Sequence, residues 1–312
     1  VGKDENPPVC AFGEDGMSRS EDVDPIEETI RALPLWHGPV DITPLSGGIT
    51  NRNFVVADGT RRAVVRVGGD IPVHGIMRFN EHAASRAAAA AGISPAVIAT
   101  APGLLVLDYI EGQTFDAAMV RARRDDCTAL IARAHRDMAD HLRGPLLAYN
   151  TFHILRDYGH SLRDGDHRLL DRLPEFSDKA ARLEAATGAI DLVFGHNDLL
   201  AANFIDDGKR LWLVDWDYAG FNTALFDLGG LSSNNGFDAS DDDAMLTLYF
   251  GQPPGDELRR RFKAVQCASL LREAMWSMVS ELHSDLEFDY IAYTGENLAR
   301  FEAAWTLFLD ME

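Results

Sequence analysis

The sequence predicts an α+β chain of two lobes, a small strand-rich lobe followed by a larger, mainly helical one. Three observations carry this reading. From Val40 to Leu107, short runs rich in β-branched residues alternate with turn signals. Beyond Gly112, apolar residues recur at helical spacing. Within that second half, residues 192–218 break into apolar runs too short for helices, with polar residues at their ends. The expected organisation is a flexible tail over residues 1–22, an N-terminal lobe over 23–111 and a C-terminal lobe over 112–312.

Each element has a local reason. Asp24-Pro25-Ile-Glu-Glu is a helix start, with a capping Asp, Pro in the first turn and acids at the positive end of the dipole. Strands follow at 40–45 and 53–57, and Asp58-Gly59 reads as a two-residue hairpin turn into the alternating run 62–67. The alanine-rich stretch from Phe79 to Ala91 favours helix by propensity, and Gly92 ends it. Strands resume at 96–99 and 104–110 around Pro102-Gly103. Helices are then expected at 125–142, 179–186, 241–250, 256–283 and 296–309.

Composition narrows the function classes. The 312 residues are 46% hydrophobic and 25% charged, as in an ordinary globular protein, and are enough for one large or two modest domains. The net charge of −20 is a poor match to nucleic acid or an anionic membrane, both of which need Lys/Arg against phosphate. It suits a small cationic substrate, and equally a solvated acidic surface. Cys10, Cys127 and Cys267 stand far apart, which argues against a disulfide framework or a zinc site. With no long apolar span, no membrane insertion is expected and a cytoplasmic location is the default.

Asp198, Asn203 and Asp215 lie at the ends of apolar runs. A carboxylate, a carboxamide and a second carboxylate suit metal-assisted phosphoryl transfer, in which one group orients a hydroxyl and oxygen ligands hold Mg²⁺ on nucleotide phosphates. Asn and Asp are also ordinary turn residues. Ser46-Gly-Gly-Ile-Thr-Asn51 between two strands is either a tight turn or a phosphate-covering loop, since glycines let backbone N–H groups approach anionic oxygens. Arg66 ends a strand and Glu81 lies on the lobe's helix, the arrangement by which kinases position phosphates. Asp108 and Ile110 flank the connector, where backbone groups would meet an adenine edge.

The order of these parts is that of a protein-kinase-like fold. Leu45-Ser-Gly-Gly-Ile-Thr-Asn-Arg-Asn-Phe54, His196-Asn-Asp-Leu-Leu-Ala-Ala-Asn203 and Val214-Asp-Trp-Asp-Tyr-Ala-Gly-Phe-Asn222 resemble the choline/ethanolamine kinase family, relatives of the aminoglycoside phosphotransferases. The resemblance spans about residues 40–305. It implies ATP and Mg²⁺, with Asp198 as base, Asn203 and Asp215 as metal ligands, and Ser46, Gly47, Gly48, Thr50 and Asn51 over the phosphates. Arg66 would contact the phosphates and Glu81 would hold Arg66. Asp217 is implied near metal or substrate, His196 as a brace of the catalytic loop, and Asp227 as a tie beneath it.

The segments 271–280 and 284–293 are similar to the family's choline-pocket helix and the stretch of chain after that helix. Trp276, Phe288, Tyr290 and Tyr293 would offer ring faces to a quaternary ammonium, although aromatics at helical spacing also serve as core. Two positions depart from the eukaryotic members: Glu273 replaces a second Trp, and Asn234 replaces a Glu. Glu273 then becomes the expected counter-charge to the substrate. The acceptor is expected to be choline or a related amino-alcohol such as ethanolamine. The alternatives are a kinase of thiamine or an aminoglycoside, and a catalytically silent nucleotide-binding protein of the same fold.

Overall fold

The structure, a computed structural model, describes residues 24–45, 51–284 and 286–311. The expected tail, and Ser46, Gly47, Gly48 and Thr50 of the Gly-rich turn, lie outside the described residues.

Asp24 caps α1 (Pro25–Arg31) by accepting a hydrogen bond from the Ile26 N–H at 2.9 Å. Next come β1 (Asp41–Leu45), β2 (Arg52–Ala57), β3 (Arg62–Val67), β4 (Val97–Ala101) and β5 (Leu104–Asp108). They form one antiparallel sheet in the order β1-β2-β3-β5-β4, with Pro44 on the edge strand where its missing N–H is harmless. One face buries Phe54, Val56, Val65 and Val106 beneath Ile30 of α1. The β2–β3 turn runs over residues 58–61, longer than the two residues expected. The Asp58 carboxylate explains the extra length: it accepts from Thr60 N–H (2.9 Å), Thr60 Oγ1 (2.6 Å) and Arg61 N–H (3.0 Å) and folds the loop on itself.

Helix α2 (Arg78–Ala90) does not share the sheet's core. Its buried Ala84, Ala87 and Ala88 pack with Leu130, Ile131 and Ala134 of α4 (Arg124–Asp137), in the second lobe. Asn80 completes the attachment. Fully buried, it donates to the Ala219 carbonyl at 2.7 Å and accepts from the Leu147 N–H at 3.0 Å. The hydrophobic cores therefore divide between sheet and helix rather than at the connector.

The second lobe also contains α3 (Ala117–Ala122), α5 (Thr151–Asp164), α6 (Leu173–Thr187), α7 (Ala224–Asn235), α8 (Ala239–Phe250), α9 (Asp256–His283) and α10 (Tyr290–Leu309). Helices α3, α5 and α7 were not anticipated. Gly229 and Gly230 lower the propensity of α7, and its reason is tertiary: a Cβ at Gly229 would come within 3.1 Å of the Gln266 backbone on α9. The same helix, α9, is buried over most of its length and forms a core with α5, α6 and α10. Helix α10 starts earlier than expected because Asp289 caps it on the Ala292 N–H at 2.9 Å.

Two small sheets hold the segment 192–223. β7 (Leu192–Gly195) pairs antiparallel with β10 (Gly220–Thr223), while β8 (Phe204–Asp206) and β9 (Leu211–Leu213) form a hairpin. The connector strand β6 (Gln113–Thr114) joins that hairpin through β8. Gly112 permits this approach, since a Cβ there would lie 2.6 Å from the Asp206 carbonyl oxygen.

Asn80→Ala leaves the buried Ala219 carbonyl and the half-buried Leu147 N–H without these partners at the α2 attachment. The expected cost is about 2 kcal/mol of unfolding free energy, read by urea denaturation. A change below about 0.5 kcal/mol would show that the attachment rests on the alanine face alone.

Candidate active site

The β7–β10 pair delivers the loop that carries Asp198. Asp227, near the start of α7, lies beneath it and accepts hydrogen bonds from the backbone N–H groups of His196 (2.8 Å) and Asn197 (2.6 Å) and from His135 Nε2 (2.8 Å). Burial opposes the charge of Asp227, yet these bonds, led by His135, hold its carboxyl below the ordinary value. The loop is fixed from above as well. The Asn197 amide donates to the carbonyls of Tyr218 (3.0 Å) and Gly220 (3.2 Å).

His196 is buried, and burial lowers its pKa. Its Nε2 donates to the Val214 carbonyl at 2.9 Å, and its Nδ1 accepts from the Asp198 N–H at 3.3 Å. Both ring nitrogens are thus committed to backbone, leaving the ring neutral and bracing the loop. Asp198 itself is partly buried. Burial, then the Glu273 carboxylate, push it up to about 8 against the pull of Arg272.

Asn203 ends a short 3-10 turn, and its side-chain nitrogen donates to the Asp198 carbonyl at 2.8 Å. The bond uses the amide nitrogen and leaves the amide oxygen as an acceptor. Asn197 and Asp215 have left-handed backbones (φ 64° and 73°), a conformation disfavoured for residues with a Cβ. At Asp215 the turn is locked by the next residue: the Trp216 indole donates to Ser94 Oγ at 2.8 Å, and its ring packs on His196 at 4.7 Å between centroids.

On the other side, Arg66 of β3 donates to Asp215 at 2.8 Å and to Asp217 at 2.9 Å, with Glu81 of α2 at 3.4 Å. Burial works against the guanidinium charge, but Asp215, Asp217 and Glu81 keep Arg66 firmly protonated. The Arg66–Glu81 pair expected from sequence therefore forms, but Glu81 has a closer partner. Arg78 donates to Glu81 at 2.6 Å and to Asp217 at 3.0 Å. The second Asp217 oxygen accepts from Asn51 at 2.7 Å, which brings the end of the Gly-rich turn to the same point.

Asn203 and Asp215 are oxygen donors of the kind magnesium takes, and one Asp215 oxygen already accepts from Arg66. Among the described residues no group of three or more His, Cys, Asp or Glu side chains forms a protein-only metal cage. At the connector, the Asp108 N–H is bound to the Ala96 carbonyl at 2.9 Å and its side chain is exposed, while Ile110 is partly buried.

Most of the predicted substrate residues divide between two cavities, and Asp217 lies apart from both, with Arg66 and Arg78. Trp276 lies 6.1 Å from Tyr290 and 6.4 Å from Tyr293 between ring centroids, and Phe288 lies 4.9 Å and 5.5 Å from the same two rings. Tyr293 then donates to Glu273 at 2.7 Å. Glu273 lines a narrow crevice with Asp198 and Asn234, whose amide lies 3.4 Å from the Leu199 carbonyl. The Glu273 charge is already shared, because Arg272 pairs with it at 2.7 Å while stacking over Tyr218. A wider cleft, about 560 Å³, opens against Trp276, Tyr290, Asn51 and Gly68.

Arg78 and Arg272 were missed by the sequence reading, although each left a signal. A cation in the first turn of a helix opposes the dipole, which suggests that Arg78 is held by something else. The Arg272-Glu273 pair interrupts an otherwise apolar stretch of α9.

Asp198, tied to Asn203, and Asp215, held by the buried Arg66 guanidinium, form an arrangement suited to phosphoryl transfer. Comparison with known proteins agrees. Residues 41–272 match the model of the phosphotransferase enzyme family (APH). Probable choline kinase 3 of Arabidopsis thaliana is 24% identical, over 95% of this chain and 96% of its own length. A probable ethanolamine kinase of the same plant is 26% identical, over 80% and 75%. The structure of a choline/ethanolamine kinase family protein from Mesorhizobium loti superposes with a TM-score of 0.76 and 27% identity, covering 92% of this chain and 97% of that one. The chain belongs to the phosphotransferase enzyme family, on its choline/ethanolamine kinase branch, and has the protein-kinase-like fold. Among the described residues no helix is long and apolar enough to cross a membrane.

Asp227→Asn should lower stability at pH 7 by about 3 kcal/mol, the scale of breaking a buried charged network. A depressed carboxyl contributes stability above its unfolded pKa, near 4, and loses it as the pH falls through the folded value. The gap between wild type and variant in urea denaturation should therefore close below pH 4. A gap constant with pH would mean that the carboxylate's charge is not what holds the loop.

Proposed function

We propose that this protein is an ATP-dependent kinase that phosphorylates the hydroxyl of choline or a related amino-alcohol such as ethanolamine. The observation that carries this is the Tyr293 bridge, which joins the aromatic group around Trp276 to Glu273, and Glu273 faces Asp198 across one crevice. An ammonium against the ring faces of Trp276 and Tyr290 would be stabilised by cation–π attraction. The hydroxyl end then extends toward Asp198. Paired with Arg272, Glu273 offers the ammonium a shared charge and a fixed acceptor.

Asp198 accepts a hydrogen bond from the substrate hydroxyl and takes its proton as the oxygen attacks phosphorus. It does so in its ionised form, which burial and Glu273 disfavour until the pH nears about 8. Arg66 binds the nucleotide phosphates, and Asn203 and Asp215 hold the metal. Magnesium, when bound, supplies neutralisation of the phosphate oxygens. Asn51, tied to Asp217, stands at the same cluster, and the backbone at 108–110 receives the adenine. The transition state is loose, so catalysis rests on positioning and charge rather than on covalent chemistry. Asp217, engaged by Arg66, Arg78 and Asn51, serves as an anchor for these groups.

Asp198→Ala should fold like the wild type and lose turnover by about a thousand-fold, the scale of a general base. Retained turnover would move that role to another residue. A coupled ATP-consumption assay over choline, ethanolamine, thiamine and kanamycin should show choline or ethanolamine with the highest kcat/KM. A preference for thiamine or kanamycin would overturn the acceptor, and nucleotide binding without any phosphorylated product would favour the silent protein. Glu273→Gln should raise the KM for choline several-fold with kcat nearly kept. An unchanged KM removes Glu273 from the substrate side.

A further inference from the structure

The cluster around Arg66 contains two guanidiniums and three carboxylates, and the two arginines are not equivalent. Arg66 stands on the sheet, makes its short hydrogen bonds to Asp215 and Asp217, and faces Glu81 only at 3.4 Å. Arg78 stands on α2 itself and is fixed along its whole length. Its Nε donates to the Gly69 carbonyl at 2.7 Å, its backbone N–H to Asp70 at 2.7 Å, and one terminal nitrogen to both Glu81 (2.6 Å) and Asp217 (3.0 Å). Its other terminal nitrogen is buried without a hydrogen-bond acceptor, and Oε1 of Glu81 is buried with no hydrogen bond, facing only the Arg66 ion pair at 3.4 Å.

Charge decides what this means. Glu81 is 1% and Asp217 3% exposed, so leaving either unpaired would be strongly unfavourable. An arginine that turns toward phosphate must not strand them. We propose that Arg78 is a positioning residue of this site, the resident cation that keeps Glu81 and Asp217 paired so that Arg66 is released to bind nucleotide phosphates. The unused donor of Arg78 and the unused acceptor of Glu81 are the pair that would meet as Arg66 withdraws, giving a two-pronged guanidinium–carboxylate contact. Without Arg78, Glu81 would depend on Arg66 and hold it back. This rests on the proposed role of Arg66 at the phosphates.

The test is a double-mutant cycle on nucleotide affinity, measured by calorimetry with the non-hydrolysable analogue AMP-PNP and Mg²⁺, without any acceptor substrate. Arg78→Gln should weaken binding by about ten-fold and Arg66→Gln by at least as much. The double variant should be little weaker than Arg66→Gln alone, because Arg78 acts through Arg66. Arg78→Lys, which keeps the charge but loses the fork, should fall between wild type and Arg78→Gln. If Arg78→Gln does not fold, the same cycle with Arg78→Lys decides. Fully additive losses, or wild-type affinity in the Arg78 variant, overturn the proposal. Wild-type affinity in Arg66→Gln would instead overturn the phosphate assignment itself, and that result is distinguishable from the others.

Discussion

The site depends on a buried exchange of charge between three parts of the chain. β3 supplies Arg66, α2 supplies Arg78 and Glu81, and the turn after β9 supplies Asp215 and Asp217. None of these side chains would be stable alone in so little water, and together they satisfy one another. The left-handed backbone at Asp215 is tolerable in the same way. Trp216 is locked by Ser94 and His196, so the strain is opposed by packing on one side and by Arg66 on the other. The geometry needed for phosphoryl transfer is thus a product of the cluster, with no single residue responsible for it.

Opposite the cluster, Asp227 performs a simpler task. Two consecutive backbone N–H groups converge on its carboxylate, and the loop between β7 and the 3-10 turn is shaped around that convergence. Gly195 is part of the same device, because a Cβ there would lie 3.0 Å from an Asp227 oxygen. Asp198 is then carried on this loop and lines one crevice with Glu273. The Asn203 amide closes the loop by bonding the Asp198 carbonyl, which ties the expected base to the expected metal ligand through one hydrogen bond.

Much of this could be read from the residues. The strand pattern up to Leu107, the helix after Met77 and the short runs at 192–218 are local signals, and the structure has them nearly where expected. Asp198, Asn203 and Asp215 are by themselves ordinary turn residues, and were recognisable from the order of the parts around them and the family resemblance of their segments. What was not legible depends on the third dimension. The glycines of α7 argue against a helix until α9 is seen to press on them. Arg78 is an unremarkable residue until three acids, one of them 139 positions further along the chain, are found around it. Glu273 looked like a lone counter-charge, and only the fold revealed that Arg272 and Tyr293 already share it.

The anchoring of α2 has a mechanical consequence. Asn80 and the alanine face fasten this helix to the helical lobe, while the five-stranded sheet has a core of its own. If the lobes rock, the hinge falls inside the N-terminal half, along the backbone joining β3 to α2 and α2 to β4, and not at the connector. Arg78 and Glu81 would ride with the helical lobe as stationary parts, and Arg66 would travel with the sheet. The same rocking that admits or releases a nucleotide would then act as a lever on one arginine alone.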